Sequence, residues 1–301
     1  MIQQLMATEE AQGERIDRFL SGQYEALSRS FLQKLLKNGD VLVNGSPVKA
    51  SYTVTEGDDI VLNVPEALEP EIVPEDIPLS VLYEDQDVIL VNKPKGMVVH
   101  PAAGHNTGTL VNALMYHCRG ELSGINGVLR PGIVHRIDMD TTGVIVACKN
   151  DMAHAFLAAQ LKEHTITRRY QAIVHGSFKE DEGTVDAPVG RHPQDRKKMC
   201  VNEKNGRNAV THYRVLRRFE KFTHIECRLE TGRTHQIRVH MAYLGHPLLG
   251  DAVYGPAKCL YRLKGQTLHA GILGFIHPRS REYVEFTAPL PEYFEKLLRT
   301  L

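Results

Sequence analysis

The 301-residue sequence predicts an α+β protein in two parts, a small N-terminal α/β unit over residues 1–64 and a large domain over residues 79–301. Three observations carry this. Residues 15–64 hold two short helical patterns and an Asn-Gly hairpin signal close together. Residues 65–78 are rich in Pro and Glu, contain no Lys or Arg, and read as an acidic linker. Beyond them, apolar strand-like runs alternate with helical patterns.

In the N-terminal unit, Arg15 to Leu20 reads as a short helix. A second runs from Ser28, a favourable N-cap, with Phe31, Leu32, Leu35 and Leu36 on one apolar face. Val41-Leu42-Val43, Asn44-Gly45 and the return through Val48 form a hairpin, because both turn residues must accept positive φ. Glu56 to Asp59 turns the chain into a last strand, Ile60 to Val64. In the large domain, Val88 to Val91 is a buried strand, and Lys93-Pro94-Lys95-Gly96 reads as a turn presenting two positive charges. Leu110 to Cys118 reads as helical. Pro131-Gly132 opens a short polar segment with His135, Arg136, Asp138 and Asp140, which runs through Gly143 into the apolar strand Val144 to Cys148. A polar loop on a rigid strand is a common place for catalytic groups. From the residues alone it reads equally as a solvated loop in which Asp138 or Thr141 caps a turn. Ala153 to Glu163 is an amphipathic helix, and Arg168 to His175 alternates as a strand. Residues 176–210 carry turn and charge signals, with the basic cluster Arg191, Arg196, Lys197 and Lys198 on a predicted loop. Cys227 to His240 reads as a strand, a Gly turn and a helix that includes His235, Arg238 and Val239.

Composition narrows the classes. The 42% hydrophobic and 24% charged residues are ordinary for a soluble globular chain. No apolar run approaches membrane-spanning length, and the first residues lack the basic start and apolar core of a signal peptide. The expectation is a cytoplasmic protein without membrane contact. The five cysteines are scattered and never spaced Cys-x-x-Cys, which argues against a disulfide framework or zinc knuckle. Fifteen histidines invite a metal reading, but none has a recognised ligand spacing. The zero net charge hides an asymmetry: residues 83–301 hold 30 Lys and Arg against 22 Asp and Glu, a surplus that permits an anionic partner.

His135-Arg136-Ile137-Asp138-Met139-Asp140-Thr141-Thr142-Gly143 resembles the His-Arg-Leu-Asp-x-x-Thr-Ser/Thr-Gly signature of the RluA/RluD family of RNA pseudouridine synthases, with Ile137 in place of Leu. Asn92 to Pro101 resembles that family's first motif, and Thr231-Gly232-Arg233-Thr234-His235-Gln236-Ile237-Arg238-Val239-His240 its third. The N-terminal unit is similar to the ribosomal-protein S-four-type RNA-binding domain through Ser28-Arg29, Gly39 to Gly45 and Glu56-Gly57-Asp58. The resemblance implies a mixed, mainly antiparallel catalytic sheet with flanking helices and a central cleft. It implies an isomerase that converts specific uridines of RNA, in the large-subunit (23S) ribosomal RNA or pre-ribosomal particles, to pseudouridine. No cofactor, metal or DNA is expected, and the chain is expected to be a monomer. Asp138 would be the catalytic residue, Arg233 its ion-pair partner, Tyr170 the ring stacked on the uracil, and Arg136 the side chain that fills the space left by the flipped base. Arg29, Lys34, Lys37 and Lys49 in the small domain, and Arg191, Arg196, Lys197 and Lys198 in the loop, are candidate phosphate contacts. Two alternatives stand beside this: an N-glycoside hydrolase acting on uridine or RNA, and an RNA-binding ribosome-assembly factor with little catalysis.

Overall fold

The computed structural model describes residues 2–24, 27–64, 72–102, 104–125, 130–195, 198–259 and 261–301. It divides into two units, Met1–Glu69 and Pro70–Leu301. The first contains β1 (Ile2–Met6), α1 (Ile16–Gln23), α2 (Arg29–Asn38), β2 (Val41–Val43), β3 (Ser46–Pro47) and β4 (Asp59–Asn63). The strands form one sheet in the order β1-β4-β2-β3. Ser28 caps α2 by accepting the Phe31 N–H, and Gly39 closes it in the left-handed conformation at φ 83°. Leu32, Leu35 and Leu36 of that helix pack with Ile16, Leu20, Ile60 and Leu62 to make the core. Strand β1 escapes the sequence reading, since Ile2 and Met6 are exposed and its partner β4 lies far along the chain. Asp17 is fully buried and receives hydrogen bonds from Gln33 (2.6 Å), Arg15 (3.1 Å) and Arg29 (3.0 Å). Burial raises its pKa, but these donors outweigh burial and bring the carboxyl down to about 2.

The second unit contains β5 (Val81–Glu84), β6 (Val88–Lys93), α3 (Leu110–His117), β7 (Thr142–Cys148), α4 (Asp151–Lys162), β8 (Thr167–His175), β9 (Glu182–Asp186), β10 (Val189–Arg191), β11 (Met199–Val201), β12 (Val210–Arg218), β13 (Phe222–Leu229), α5 (Gln236–Tyr243), β14 (Leu268–Ile276), β15 (Tyr283–Thr287) and α6 (Glu292–Thr300). Among the described residues one nine-stranded sheet runs β5-β6-β7-β14-β8-β13-β12-β9, with β15 also on β14. Pairing is antiparallel except between β7 and β14, which are parallel. Strand β7 is buried along its whole length because its faces serve two cores. Ile145 and Ala147 pack with Leu110 and Leu114 of α3, and Val144, Val146 and Cys148 with Ala153 and Leu157 of α4. Helix α5 inserts Ile237 and Met241 beside Tyr170 and Ile225. Helix α6 sets Phe294 and Leu297 against Ile173 and Phe222.

Two expectations change here. Of the expected linker, residues 65–71 lie outside the described residues, and residues 72–78 are not free. Ile72 is buried with Ile89, Glu75 N–H donates to the Asn112 carbonyl (3.0 Å), and the Glu75 carboxylate accepts the Gly108 N–H (3.0 Å). The stretch 176–210, read for its turn and charge signals, carries β9, which pairs with β12, and the mutually paired β10 and β11, so that Arg191 lies on a strand and not in the predicted loop.

Gly143 sits at the parallel seam with φ 113°, and an added Cβ would collide with the Ala270 carbonyl. Gly143→Ala is therefore expected to cost about 2–4 kcal/mol in urea unfolding; a neutral substitution would contradict the seam geometry. Asp17 titrates below its unfolded-state value, so its stabilisation is complete above about pH 4 and is lost as pH falls through about 2. Asp17→Asn is expected to destabilise the N-terminal unit by about 1 kcal/mol at pH 7. The difference from wild type should shrink in melts taken toward pH 2, and an undiminished difference would refute the assignment.

Candidate active site

Asp138 lies in the polar segment that enters β7, and the fold holds that segment from three sides. Gly132 accepts the Cys148 N–H through its carbonyl (2.8 Å). His135 accepts the Val146 N–H at Nε2 (3.2 Å), and burial pushes its pKa down to about 4, which keeps the ring a neutral acceptor. The third hold corrects an expectation. Lys93 is not presented to solvent on a basic turn; it is 1% exposed. Its Nζ donates to the carbonyls of Pro94 (2.8 Å), Met97 (2.8 Å) and Met139 (2.9 Å). Burial lowers its pKa to about 7, against the opposing charges of Asp140 and Asp138. Lys95 is likewise turned in, donating to the carbonyls of Gly265 and Gln266 over the Tyr293 ring. Lone ammonium groups satisfied by fixed carbonyls make a clamp under the loop.

The cation beside Asp138 is Arg238, not Arg233. Arg238 Nη1 donates to Asp138 Oδ2 at 2.8 Å. Its other edge grips buried Asp251, Nε to Oδ2 at 2.7 Å and Nη2 to Oδ1 at 3.0 Å, and its guanidinium lies over the Tyr254 ring. Burial would raise the Asp251 carboxyl, but hydrogen bonds from Arg238 and from the backbone of Val253 and Tyr254 hold it below the ordinary range. Arg233 instead donates Nε to the Asn208 carbonyl (2.9 Å). The reason is local backbone. His235 is not helical as expected but adopts a left-handed φ of 58°, and α5 starts only at Gln236. The turn is locked by Gln236, which accepts from Arg233 N–H and Thr231 Oγ1 and donates to the Val210 carbonyl. This aims the first helical turn, with Arg238, into the cleft.

Asp138 borders three adjoining cavities. A small one of about 60 Å³ is lined by Ile137, Tyr170, Leu229, Arg233, Arg238 and Leu268, among others. Larger ones of about 340 Å³ open on either side, one toward Arg168, Arg233 and Tyr170, the other toward His100, His105, Asp140 and Gln266. The small cavity has room for one or two waters, so a planar base would occupy it together with the adjoining clefts. Tyr170 is 9% exposed on the floor of this space. Burial raises its phenol pKa, opposed by Arg168 and reinforced by Asp138. Arg136 is exposed at the rim and borders all three cavities. The structure thus gathers Asp138, Tyr170, Arg136 and Arg233, adds Lys93 and His235, whose roles sequence reading missed, and brings forward Arg238, which one turn into a helix reads only as a structural ion pair. Asp251 was the available signal, since a buried acid needs a cation.

The expected phosphate contacts divide. Lys34, Lys37 and Lys49 are exposed on the N-terminal unit. The Arg29 guanidinium is spent on Asp17, so it is a structural partner first. Arg191 is exposed but lies in strand β10 rather than in a loop, and Lys198 is half-buried. Arg196 and Lys197 lie outside the described residues. Elsewhere, Asp85, Asp87 and His277 are close enough to hold a metal ion. Their oxygens are already engaged: Arg279 binds both Asp87 oxygens (2.6 and 2.8 Å), and Asp85 accepts the amides of Asp87 and Val88. This is an ion-pair network tying β14's end to β6. Among the described residues no helix is long and apolar enough to cross a membrane.

Comparison with known proteins agrees with this geometry. Residues 87–243 match the RNA pseudouridylate synthase family, and residues 14–60 match the S4 domain. The chain is 57% identical over 297 residues to the uncharacterized RNA pseudouridine synthase YlyB of Bacillus subtilis, covering 99% of this chain and 97% of the relative. It is 48% identical over 309 residues to the ribosomal large subunit pseudouridine synthase D of Zymomonas mobilis, covering 99% and 97%. The solved structure of human RNA pseudouridylate synthase domain containing 1 aligns with a TM-score of 0.59 at 25% identity, over 75% of this chain and 95% of that one. The chain belongs to the RNA pseudouridine synthases, isomerases of uridine in RNA, and carries an S4 domain ahead of its catalytic domain.

Proposed function

We propose that this synthase isomerises uridines of large-subunit (23S) ribosomal RNA in the cytoplasm, with Asp138 as the catalytic residue, Arg238 as its orienting cation and Tyr170 as the ring against which the uracil lies. The observation that supports it most is the placement of Asp138: it borders the cavity floored by Tyr170, while one N–H of Arg238 fixes its Oδ2. The ribosomal substrate rests on relatives described as ribosomal large subunit pseudouridine synthase D, which span the chain end to end.

Conversion of uridine to pseudouridine breaks the N1–C1′ bond, turns the uracil, and joins C5 to C1′. The proton leaves C5, and N1 gains one. An ionised Asp138 serves by attacking C1′ or by removing a sugar proton as uracil departs. In both routes the oxygen that acts is Oδ1, because Oδ2 is held by Arg238. The base must leave its stack to reach this oxygen, at a cost of a few kcal/mol that is least in loops. Arg136 at the rim is placed to occupy the vacated position. Lys34, Lys37 and Lys49 present charge to the phosphate backbone from the S4 domain.

Large-subunit RNA tritiated at uracil C5 tests the reading. The wild type is expected to release tritium without free uracil, and Asp138→Asn to lose release while staying folded at the assay temperature and keeping its RNA affinity. Free uracil would indicate a hydrolase, and an active Asp138→Asn would remove the carboxylate from the mechanism. A second comparison separates the two arginines. Arg238→Lys is expected to lower kcat about 10²-fold or more, since an ammonium lacks the planar fork that grips Asp251 with two N–H groups while a third reaches Asp138. Arg233→Lys should cost about tenfold or less, and the reverse order would restore Arg233 as the partner of Asp138.

A further inference from the structure

Asp138 Oδ1 has a neighbour that the mechanism above leaves unused. His235 Nε2 stands 3.8 Å from it, too far for a direct hydrogen bond. The opposite ring nitrogen, Nδ1, is 2.8 Å from the Tyr254 hydroxyl, and that hydroxyl accepts the backbone N–H of Met199 at 2.9 Å. With one lone pair of its oxygen taken by Met199 N–H, the tyrosine hydroxyl has its proton to give to His235 Nδ1, and this is the arrangement in which the imidazole proton stands on Nε2. Burial lowers the pKa of His235 against the opposing charge of Asp138, with Arg238, Asp251 and Arg136 also facing it, which keeps the ring neutral. The left-handed backbone at His235 is a conformation that non-glycine residues seldom adopt. It delivers the ring to this place at the junction of all three cavities.

An N–H donor and a carboxylate oxygen 3.8 Å apart, both open to the same cavity, fit one hydroxyl between them. We propose that His235 Nε2–H and Asp138 Oδ1 together bind the ribose 2′-hydroxyl of the target uridine, the histidine donating to it and the carboxylate accepting from it. A 2′-hydroxyl is the group that is both donor and acceptor and is absent from DNA. His235 is then a residue that selects RNA at the reacting sugar, and Tyr254, through Met199 of β11, is the positioning residue that sets its tautomer. This rests on the reading of Asp138 as the reacting carboxylate.

The test is a cycle of enzyme and substrate. Single-turnover rates are measured for an RNA oligonucleotide with a ribose or a 2′-deoxyribose at the target, on wild type, His235→Leu and His235→Gln. His235→Leu is expected to lose about 10- to 100-fold on the ribose substrate, the loss of one hydrogen bond, and to lose little on the deoxy substrate. His235→Gln, which keeps an N–H donor near the same place, should recover most of the loss. Equal losses on both sugars would overturn the proposal. If the deoxy oligonucleotide turns over too slowly to follow, its inhibition constant against the ribose substrate should be unchanged by His235→Leu; weakening would overturn the proposal. Nitrogen-15 spectra of histidine-labelled enzyme give an independent readout: His235 should hold its proton on Nε2 in wild type and lose that single tautomer in Tyr254→Phe. A proton on Nδ1 in wild type would overturn the relay. Asp138→Asn run alongside separates the two levels, since its full activity would sink the reading of the carboxylate, whereas its inactivity with an uncoupled His235 sinks only this inference.

Discussion

One guanidinium organises the catalytic domain. Arg238 is almost wholly buried and stands between two carboxylates, with Asp251 taking two of its N–H groups and Asp138 one. A buried charge of this kind is tolerable only when its hydrogen bonds are complete, and removing one partner typically costs 3–5 kcal/mol. The asymmetry matters chemically. Because Asp251 absorbs the bidentate contact, Asp138 is oriented through a single oxygen and its other oxygen stays available. The same ion pairs fix three separate pieces of chain: the segment before β7, the first turn of α5, and the turn after Leu249.

Much of the fold is legible in the sequence where burial or capping is local. Strand β7 reads as an unbroken apolar run because α3 and α4 cover its two faces. Helix α2 is announced by Ser28 and closed by Gly39. The elements that escape have distant partners: β1, with Ile2 and Met6 facing outward, is defined by β4, and β9 by β12. A turn-rich sequence cannot show that its short extended pieces find such partners.

The site divides in the same way. Asp138 and Tyr170 stand out at motif positions, and both line the same small cavity. Arg233 and Arg238 are five positions apart in one motif, and which of them reaches the carboxylate depends on a left-handed turn at His235 and on Asp251 further along the chain. Neither is visible in the motif itself. Lys93 and Lys95 read as surface charge because nothing in Lys-Pro-Lys-Gly reveals that five carbonyl oxygens converge on them.

The parallel seam between β7 and β14 has a mechanical consequence. Asp138 and Lys93 belong to the strands on one side of it, whereas Tyr170, Arg238 and His235 belong to the other side. The reactive geometry is therefore assembled across a joint whose recorded register is two residue pairs long, His269 with Thr142 and Ala270 with Gly143, and whose closeness depends on Gly143 lacking a side chain. A slip of one side against the other would separate carboxylate, ring and guanidinium, and it would also break the core that Val144, Val146 and Cys148 share with Leu273 and Phe275 across the joint. Alignment of the reacting groups and integrity of the core are therefore held by the same joint.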